Sequence, residues 1–215
     1  MSAPNDPNPA IPVFDRDRVW LLSWSLYGSR MPGDERGFVG TVRERRADDP
    51  DGPRVRHNRV QTEYDCGMSG LVRSARAAMK HPPARLMAAD AGPLAEQFAE
   101  TAAHRGWRIL AGAIMPLHVH LLVGVPGDPE PHTLLRDFKS YGSRRLNRGG
   151  KRRWWTEGGS TRKKAEREQI LAAARYVRDQ EGPLSVWVDP DVAEVIGAEP
   201  RSGFGVYEGP PRSGG

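Results

Sequence analysis

The sequence predicts an α+β fold in which helices cover an antiparallel sheet. Apolar, β-prone runs alternate along the chain with segments whose apolar residues recur at helical spacing. Two of the runs, 107–115 and 118–125, are separated only by Pro116 and Leu117, which favours antiparallel pairing. The chain of 215 residues is long enough for one domain with a sizeable core.

Strong breakers separate the predicted elements. Pro82-Pro83 and Gly182-Pro183 each end a helical segment, and Asp90 is predicted to cap a helix that has Pro93 in its first turn. Strands are predicted at 18–30, 107–115, 118–125, 152–156 and 184–188. Helices are predicted at 68–80, 91–105 and 131–147, and from Ser160 or Thr161 to about Gln180.

Composition shifts predict the domain organisation. Residues 13–190 are expected to form a single domain, in which 31–65 is an insertion arm of irregular structure with at most a short helix. Residues 1–12 are expected to be a disordered tail, and the Gly-, Pro- and Arg-rich 191–215 a flexible one.

The net charge and the cysteine content limit the functional classes and cellular locations expected for this chain. The net charge is +5 at pH 7 and the sequence pI is about 9.6, which favours an anionic partner. No stretch is apolar enough to cross a membrane, and the N-terminus lacks a secretory signal. Cys66 is the only cysteine; it is a buried small residue or, less expectedly, a catalytic thiol. A cytoplasmic location is expected.

The run Met115–Val123 contains two histidines at positions 118 and 120. Alternate residues of a strand point to the same face, so His118 and His120 would present two imidazoles side by side. That arrangement suits two ligands on one divalent metal. Both could equally be packed or surface histidines of an edge strand.

A second pair strengthens the metal interpretation. Tyr176 and Gln180 lie four residues apart in a predicted helix and would share a face. A phenol is a potential nucleophile, and a carboxamide oxygen is a hard ligand for magnesium or manganese. Together with His118 and His120 they form a workable phosphoryl-transfer site. Tyr141 is the rival nucleophile, but the residue four positions on, Arg145, is no metal ligand.

A basic run predicts nucleic-acid binding. From Arg136 to Arg167 there are twelve Lys or Arg residues against three acidic ones. Two tryptophans within the run suit base stacking, although they could equally anchor the core. The residues predicted to bind nucleic acid are Lys139, Arg144, Arg145, Arg152, Arg153, Trp154 and Trp155.

These motifs together resemble the single-tyrosine HUH transposases, the small transposases of insertion sequences and their REP-associated relatives. Met115-Pro116 before His118-Val119-His120 is similar to the family's metal strand, Lys139–Asn147 to its basic helix, and Tyr176–Gln180 to its nucleophile helix. The resemblance covers roughly 107–182, with a looser match at 14–30.

The resemblance implies a ferredoxin-like HUH fold and a defined chemistry. Single-stranded or hairpin DNA would be cleaved and joined through a 5′-phosphotyrosine at Tyr176. The divalent metal, Mg²⁺ or Mn²⁺, would be bound by His118, His120 and Gln180. Relatives include dimers, so a homodimer stays open. Three alternatives also stay open: an RRM-like nucleic-acid binder with an inactive or regulatory site, a relative that no longer mobilises DNA, and a phosphodiesterase that uses water in place of Tyr176.

Overall fold

The computed structural model describes residues 18–38, 40–43, 48, 54–57 and 65–197. The described residues form seven strands: β1 Arg18–Ser25, β2 Gly40–Arg43, β3 Arg54–His57, β4 Arg108–Ile114, β5 His118–Val125, β6 Ser160–Lys164 and β7 Ser185–Val188. They also form five α-helices: α1 Ser69–Ala77, α2 Ala88–His104, α3 Pro131–Leu146, α4 Arg167–Arg178 and α5 Pro190–Ile196. None of these helices has the length and apolar character needed to cross a bilayer.

Five strands form one antiparallel sheet in the order β6-β1-β5-β4-β7. The succession β1-α2-β4-β5-α3-β6 with this strand order is the ferredoxin-like arrangement, to which β7 adds a fifth strand beside β4. The predicted α+β fold is therefore confirmed, and so is the antiparallel pairing of β4 with β5.

Helices cover both faces of the sheet. On one face α4 and α5 bury residues such as Ile170, Ala174 and Val192 against Leu21 and Leu122 of the sheet. On the other face α2 and α3 build an aromatic core. Its edge-to-face ring contacts join Trp24 to Phe98, Trp24 to Trp155, and Phe98 to Phe138.

The register of β1 against β5 decides which residues share the α4 face. Ser23 pairs with His120 and Ser25 with His118, while Leu21 pairs with Leu122. Because directly paired residues of antiparallel strands point to the same face, the two histidines lie on the face that α4 covers.

The structure corrects three of the elements predicted around this sheet. Residues 152–156 are not a strand, since the edge strand is β6, and α4 begins at Arg167 rather than at Ser160 or Thr161. Polar Ser-Thr-Arg-Lys-Lys forms a strand because β1 offers it a hydrogen-bonding partner over five residues. Helix α2 begins at Ala88, so Asp90 lies in its first turn and not at the N-cap position, and its carboxylate accepts a hydrogen bond from the Met87 backbone N–H over 2.8 Å.

The described part of the chain divides into two compact units, one of residues 18–25 and 85–197 and the other Leu26–Ala84. The second unit contains α1 and an antiparallel hairpin of β2 and β3, so the irregular arm expected at 31–65 contains two strands. Cys66 is exposed, contrary to the expected burial.

The expected C-terminal tail begins later than residue 191. Helix α5 occupies Pro190–Ile196, where the Asp189 side chain caps it and Val192 and Ile196 are buried. Residues 198–215 and the expected tail at 1–12 lie outside the described residues.

Candidate functional site

The two histidines of β5 present their rings side by side on the α4 face. Their ring centroids are 4.8 Å apart at an interplanar angle of 79°. His120 is only 7% exposed, whereas His118, at the start of the strand, is partly exposed. The period-two spacing therefore produces the shared face that it predicted.

His120 is held by a serine from the neighbouring strand. The Oγ of Ser23 lies 2.6 Å from Nδ1 of His120, a contact that follows from the direct pairing of the two residues. Burial, assisted by the neighbouring His118, lowers the pKa of His120 to about 4. The imidazole is therefore neutral at pH 7, as metal ligation requires, and its engaged Nδ1 leaves Nε2 for a ligand.

Helix α4 brings Tyr176 to the histidines. Its apolar face buries Ile170, Ala174 and Val177 against the sheet, which fixes the helix over the histidine strand. The Tyr176 ring lies 5.4 Å from the His120 ring, edge to face. It is also 50% exposed, so the phenol is open to a substrate on one side.

Gln180 lies beyond the end of the tyrosine helix. Helix α4 ends at Arg178 with Asp179 as its C-cap, so Gln180 is not on the helical face that the spacing assumed. Its amide nitrogen donates to the Tyr176 carbonyl over 2.9 Å. The structure thus brings together His118, His120 and Tyr176, and places Gln180 at the adjoining helix end with a bond to the tyrosine backbone.

The donor set fits a divalent metal. Two same-face imidazoles, one of them neutral and oriented by Ser23, supply two ligands. Among the described residues no group of three or more His, Cys, Asp or Glu is placed to hold an ion. The predicted third protein ligand is the carboxamide oxygen of Gln180.

A separate basic groove lies on the α3 side of the sheet, opposite the histidines. Its volume is about 650 Å³. Helix α3 and the segment that follows it supply the lining, which includes His132, Arg136, Lys139, Arg152, Arg153, Trp154 and Trp155. Arg152 and Arg153 are exposed, and the Arg152 guanidinium lies 5.3 Å from the centroid of the Trp154 ring.

The two tryptophans are packed into the core, which favours the core-anchoring role among the two that the sequence left open. Each is only 7% exposed. Trp154 donates from Nε1 to Oδ1 of Asn147, and Trp155 donates to the Lys139 carbonyl. The Trp155 ring packs against Trp24 in the core. Their neighbours in sequence are basic, but tertiary packing has buried the rings.

Lys139 and Arg145, both predicted to bind phosphate, have hydrogen-bonding partners within the fold. Lys139 donates to the carbonyls of Thr156 at 2.7 Å and Gly158 at 2.6 Å, and burial lowers its pKa to about 8. Arg145 lies 3.3 Å from both the Pro93 carbonyl and the Glu96 carboxylate. Arg144 is exposed, with its guanidinium 5.0 Å from the Tyr141 ring centroid.

Sequence reasoning missed Ser23 as a site residue. Serines alternate with apolar residues at the end of 18–25, which indicates that Ser23 lies on a different strand face from its neighbours. The pattern does not reveal that β1 pairs with the histidine strand.

A match to a protein-family model agrees with the motifs. Residues 84–180 match the family model described as "Transposase IS200 like", over somewhat less than half of the chain. No curated protein matches. One similar solved structure is a REP-associated tyrosine transposase bound to a REP hairpin, at 12% identity and a TM-score of 0.43, with 76% of this chain and 66% of that one covered. This chain thus spans slightly less than two thirds of that protein.

Another similar structure is a putative transposase from Deinococcus radiodurans R1, at 12% identity and a TM-score of 0.35, with 77% of this chain and 92% of that one covered. The family match includes β5, the basic helix α3 and the Tyr176 helix. The resemblance in the sequence is confirmed: residues 84–180 of this chain are similar to the IS200-like transposases.

Proposed function

We propose that this protein is a transposase that cleaves and rejoins single-stranded DNA through a covalent bond to Tyr176. The observation that carries the proposal is the convergence of His118, His120 and Tyr176 on one face of the sheet, with ring separations of 4.8 and 5.4 Å. A nucleic-acid binder without catalysis does not need a half-exposed phenol against a buried, neutral histidine.

The metal would be Mg²⁺ or Mn²⁺, held by His118, His120 and Gln180. When bound, it would supply Lewis-acid stabilisation of charge on the scissile phosphate. The fold contributes the orientation of its ligands. Ser23 engages Nδ1 of His120, and the Gln180 amide nitrogen bonds to the tyrosine helix.

Tyr176 would act as the nucleophile. Its Oη attacks phosphorus, the bond from phosphorus to the 3′ oxygen breaks, and a 5′-phosphotyrosine and a 3′-hydroxyl result. The phenol proton passes to water on the exposed side of the ring, and the leaving 3′ oxygen takes a proton from water. Attack of a 3′-hydroxyl on the phosphotyrosine reverses the step and rejoins the strand.

The proposed DNA partner is single-stranded or hairpin DNA. Arg144, Arg152 and Arg153 are exposed on the α3 side and would bind phosphates. Such contacts position a strand without reading its sequence. Tyr176 lies beside His120 of its own chain. This supports a site that a single subunit completes, without a homodimer.

A covalent-adduct assay tests the proposal. The protein is incubated with Mg²⁺ or Mn²⁺ and single-stranded DNA labelled at its 3′ end, the part that a 5′-phosphotyrosine retains, and the products are separated under denaturing conditions. We expect an adduct with the wild type and none with Tyr176→Phe, while DNA affinity stays nearly unchanged because only one hydroxyl is lost. Tyr141→Phe, the matched control on α3, should form the adduct normally.

Each alternative function gives a different result. If the wild type cleaves DNA without forming an adduct, and Tyr176→Phe still cleaves it, the protein is a phosphodiesterase that uses water. Binding without cleavage by the wild type would indicate a nucleic-acid-binding protein with an inactive or regulatory site. An adduct that persists in Tyr176→Phe and disappears in Tyr141→Phe would move the nucleophile to α3.

A further inference from the structure

The two edges of the five-stranded sheet have opposite charge. The edge strand β6 contains Arg162, Lys163 and Lys164 in succession. At the other edge, the charged residues of 185–196, which comprise β7 and α5, are all acidic: Asp189, Asp191 and Glu194. Two of these acids already bind Arg108 of the neighbouring strand at 2.7 and 2.8 Å. The β6 edge is therefore the more favourable of the two edges for a polyanion.

The register places the basic residues of β6 on both faces. Arg162 pairs with Leu21, which in turn pairs with Leu122, so Arg162 shares the face of the histidines. Lys163 pairs with Trp20 and points to the α3 side, where the basic groove lies. Both side chains are exposed. Two inter-strand spacings, about 10 Å, separate β6 from the histidine strand.

The groove and the histidine site lie on opposite faces of one sheet. A strand of nucleic acid that contacts both must therefore pass around an edge. From Arg152 and Arg153 in the groove, the chain leads directly into β6, which makes the β6 edge a basic connection between the two faces. Lysines on an edge strand also discourage aggregation between sheets. That role would not explain why a basic groove adjoins this edge, nor why the opposite edge is acidic.

We propose that the β6 edge is the crossing by which single-stranded DNA passes from the α3 groove to the histidine face. Arg162 binds a phosphate on the histidine side, and Lys163 binds one on the groove side. This inference rests on the proposed function, since it assigns the path of the DNA that Tyr176 would cleave.

The salt dependence of DNA binding tests the crossing. Binding of a labelled single-stranded oligonucleotide is measured by fluorescence anisotropy at several salt concentrations, in a Tyr176→Phe background that prevents cleavage. Each phosphate contact on a single strand contributes about 0.7 to the slope of log affinity against log salt. We expect Arg162→Ala with Lys163→Ala to flatten the slope by about 1.4, and each single change to flatten it by about 0.7. Arg162→Lys should keep the parent slope.

Glu194→Gln, which raises the net charge by about one at the opposite edge, is the charge control. It should leave the slope unchanged; a shift as large as that of Arg162→Ala would mean that net charge governs binding, and would overturn the crossing. Arg162→Gln with Lys163→Thr repeats the test with different side chains, and circular dichroism confirms that each variant folds. An unchanged slope in both folded double variants overturns the crossing while the adduct assay still supports the transposase. Failure of the parent to bind single-stranded DNA overturns both.

Discussion

Replacing Ser23 by alanine should weaken metal binding without removing any ligand. The Ser23 Oγ lies 2.6 Å from Nδ1 of His120, inside a sheet where the two residues are directly paired. With its pKa lowered to about 4 by burial and by His118, His120 carries a single ring proton at pH 7. If Nδ1–H donates to Ser23, that proton stays on Nδ1 and Nε2 keeps the lone pair that a metal requires.

The size of the effect follows from the role of such supporting bonds. Partners that orient a metal-binding histidine typically contribute about 10- to 100-fold in metal affinity, which corresponds to about 1.4–2.8 kcal/mol. The same deletion should cost about 1 kcal/mol of folding stability, because a part-buried hydrogen bond is lost. Ser23→Thr keeps the hydroxyl and a β-compatible side chain, so it should restore most of the affinity.

Two measurements check this prediction. Titration calorimetry with Mn²⁺ compares Ser23→Ala and Ser23→Thr with the wild type. Nitrogen-15 chemical shifts of the metal-free protein at pH 7 report which ring nitrogen of His120 carries the proton. A Ser23→Ala protein with wild-type tautomer and Mn²⁺ affinity within about twofold of the wild type would refute the reasoning. A wild-type ring protonated at Nε2 would refute it as well, since Ser23 would then be the donor.

Two further predictions concern the basic helix. Lys139→Met should lower the free energy of unfolding, measured by urea titration, by about 2–3 kcal/mol, because the Thr156 and Gly158 carbonyls lose a charged donor. A change under about 0.5 kcal/mol would mean that these hydrogen bonds contribute little to stability. Arg144→Ala should flatten the salt slope of single-stranded DNA binding by up to about 0.7, whereas Arg145→Ala, engaged with Glu96, should leave the slope unchanged. Equal slopes for the two variants would contradict this division.

Local pattern was enough to predict several parts of the site. Side chains two apart on a strand share a face whatever the strand pairs with, so the common direction of His118 and His120 followed from spacing alone. The apolar spacing of Ile170, Ala174 and Val177 likewise predicted a helix carrying Tyr176. The helix at 131–147 was predicted for the same reason, within one residue of α3.

Tertiary structure decided the features that depend on a distant partner. Whether 160–164 is a helix start or a strand depends on β1, which supplies its hydrogen bonds. The burial of Trp154 and Trp155 depends on Trp24, Asn147 and the α3 backbone, so their position in a basic run could not distinguish core packing from base stacking.

The sequence by itself determined that His118 and His120 share one strand face and that Tyr176 lies on a helix, because both follow from a periodicity within a few residues. It did not determine that Ser23 would meet His120 across 97 positions, nor that the basic run would be distributed over a groove, an edge strand and internal hydrogen bonds. Strand register and burial set these outcomes, and both arise from packing between segments that are far apart in the chain.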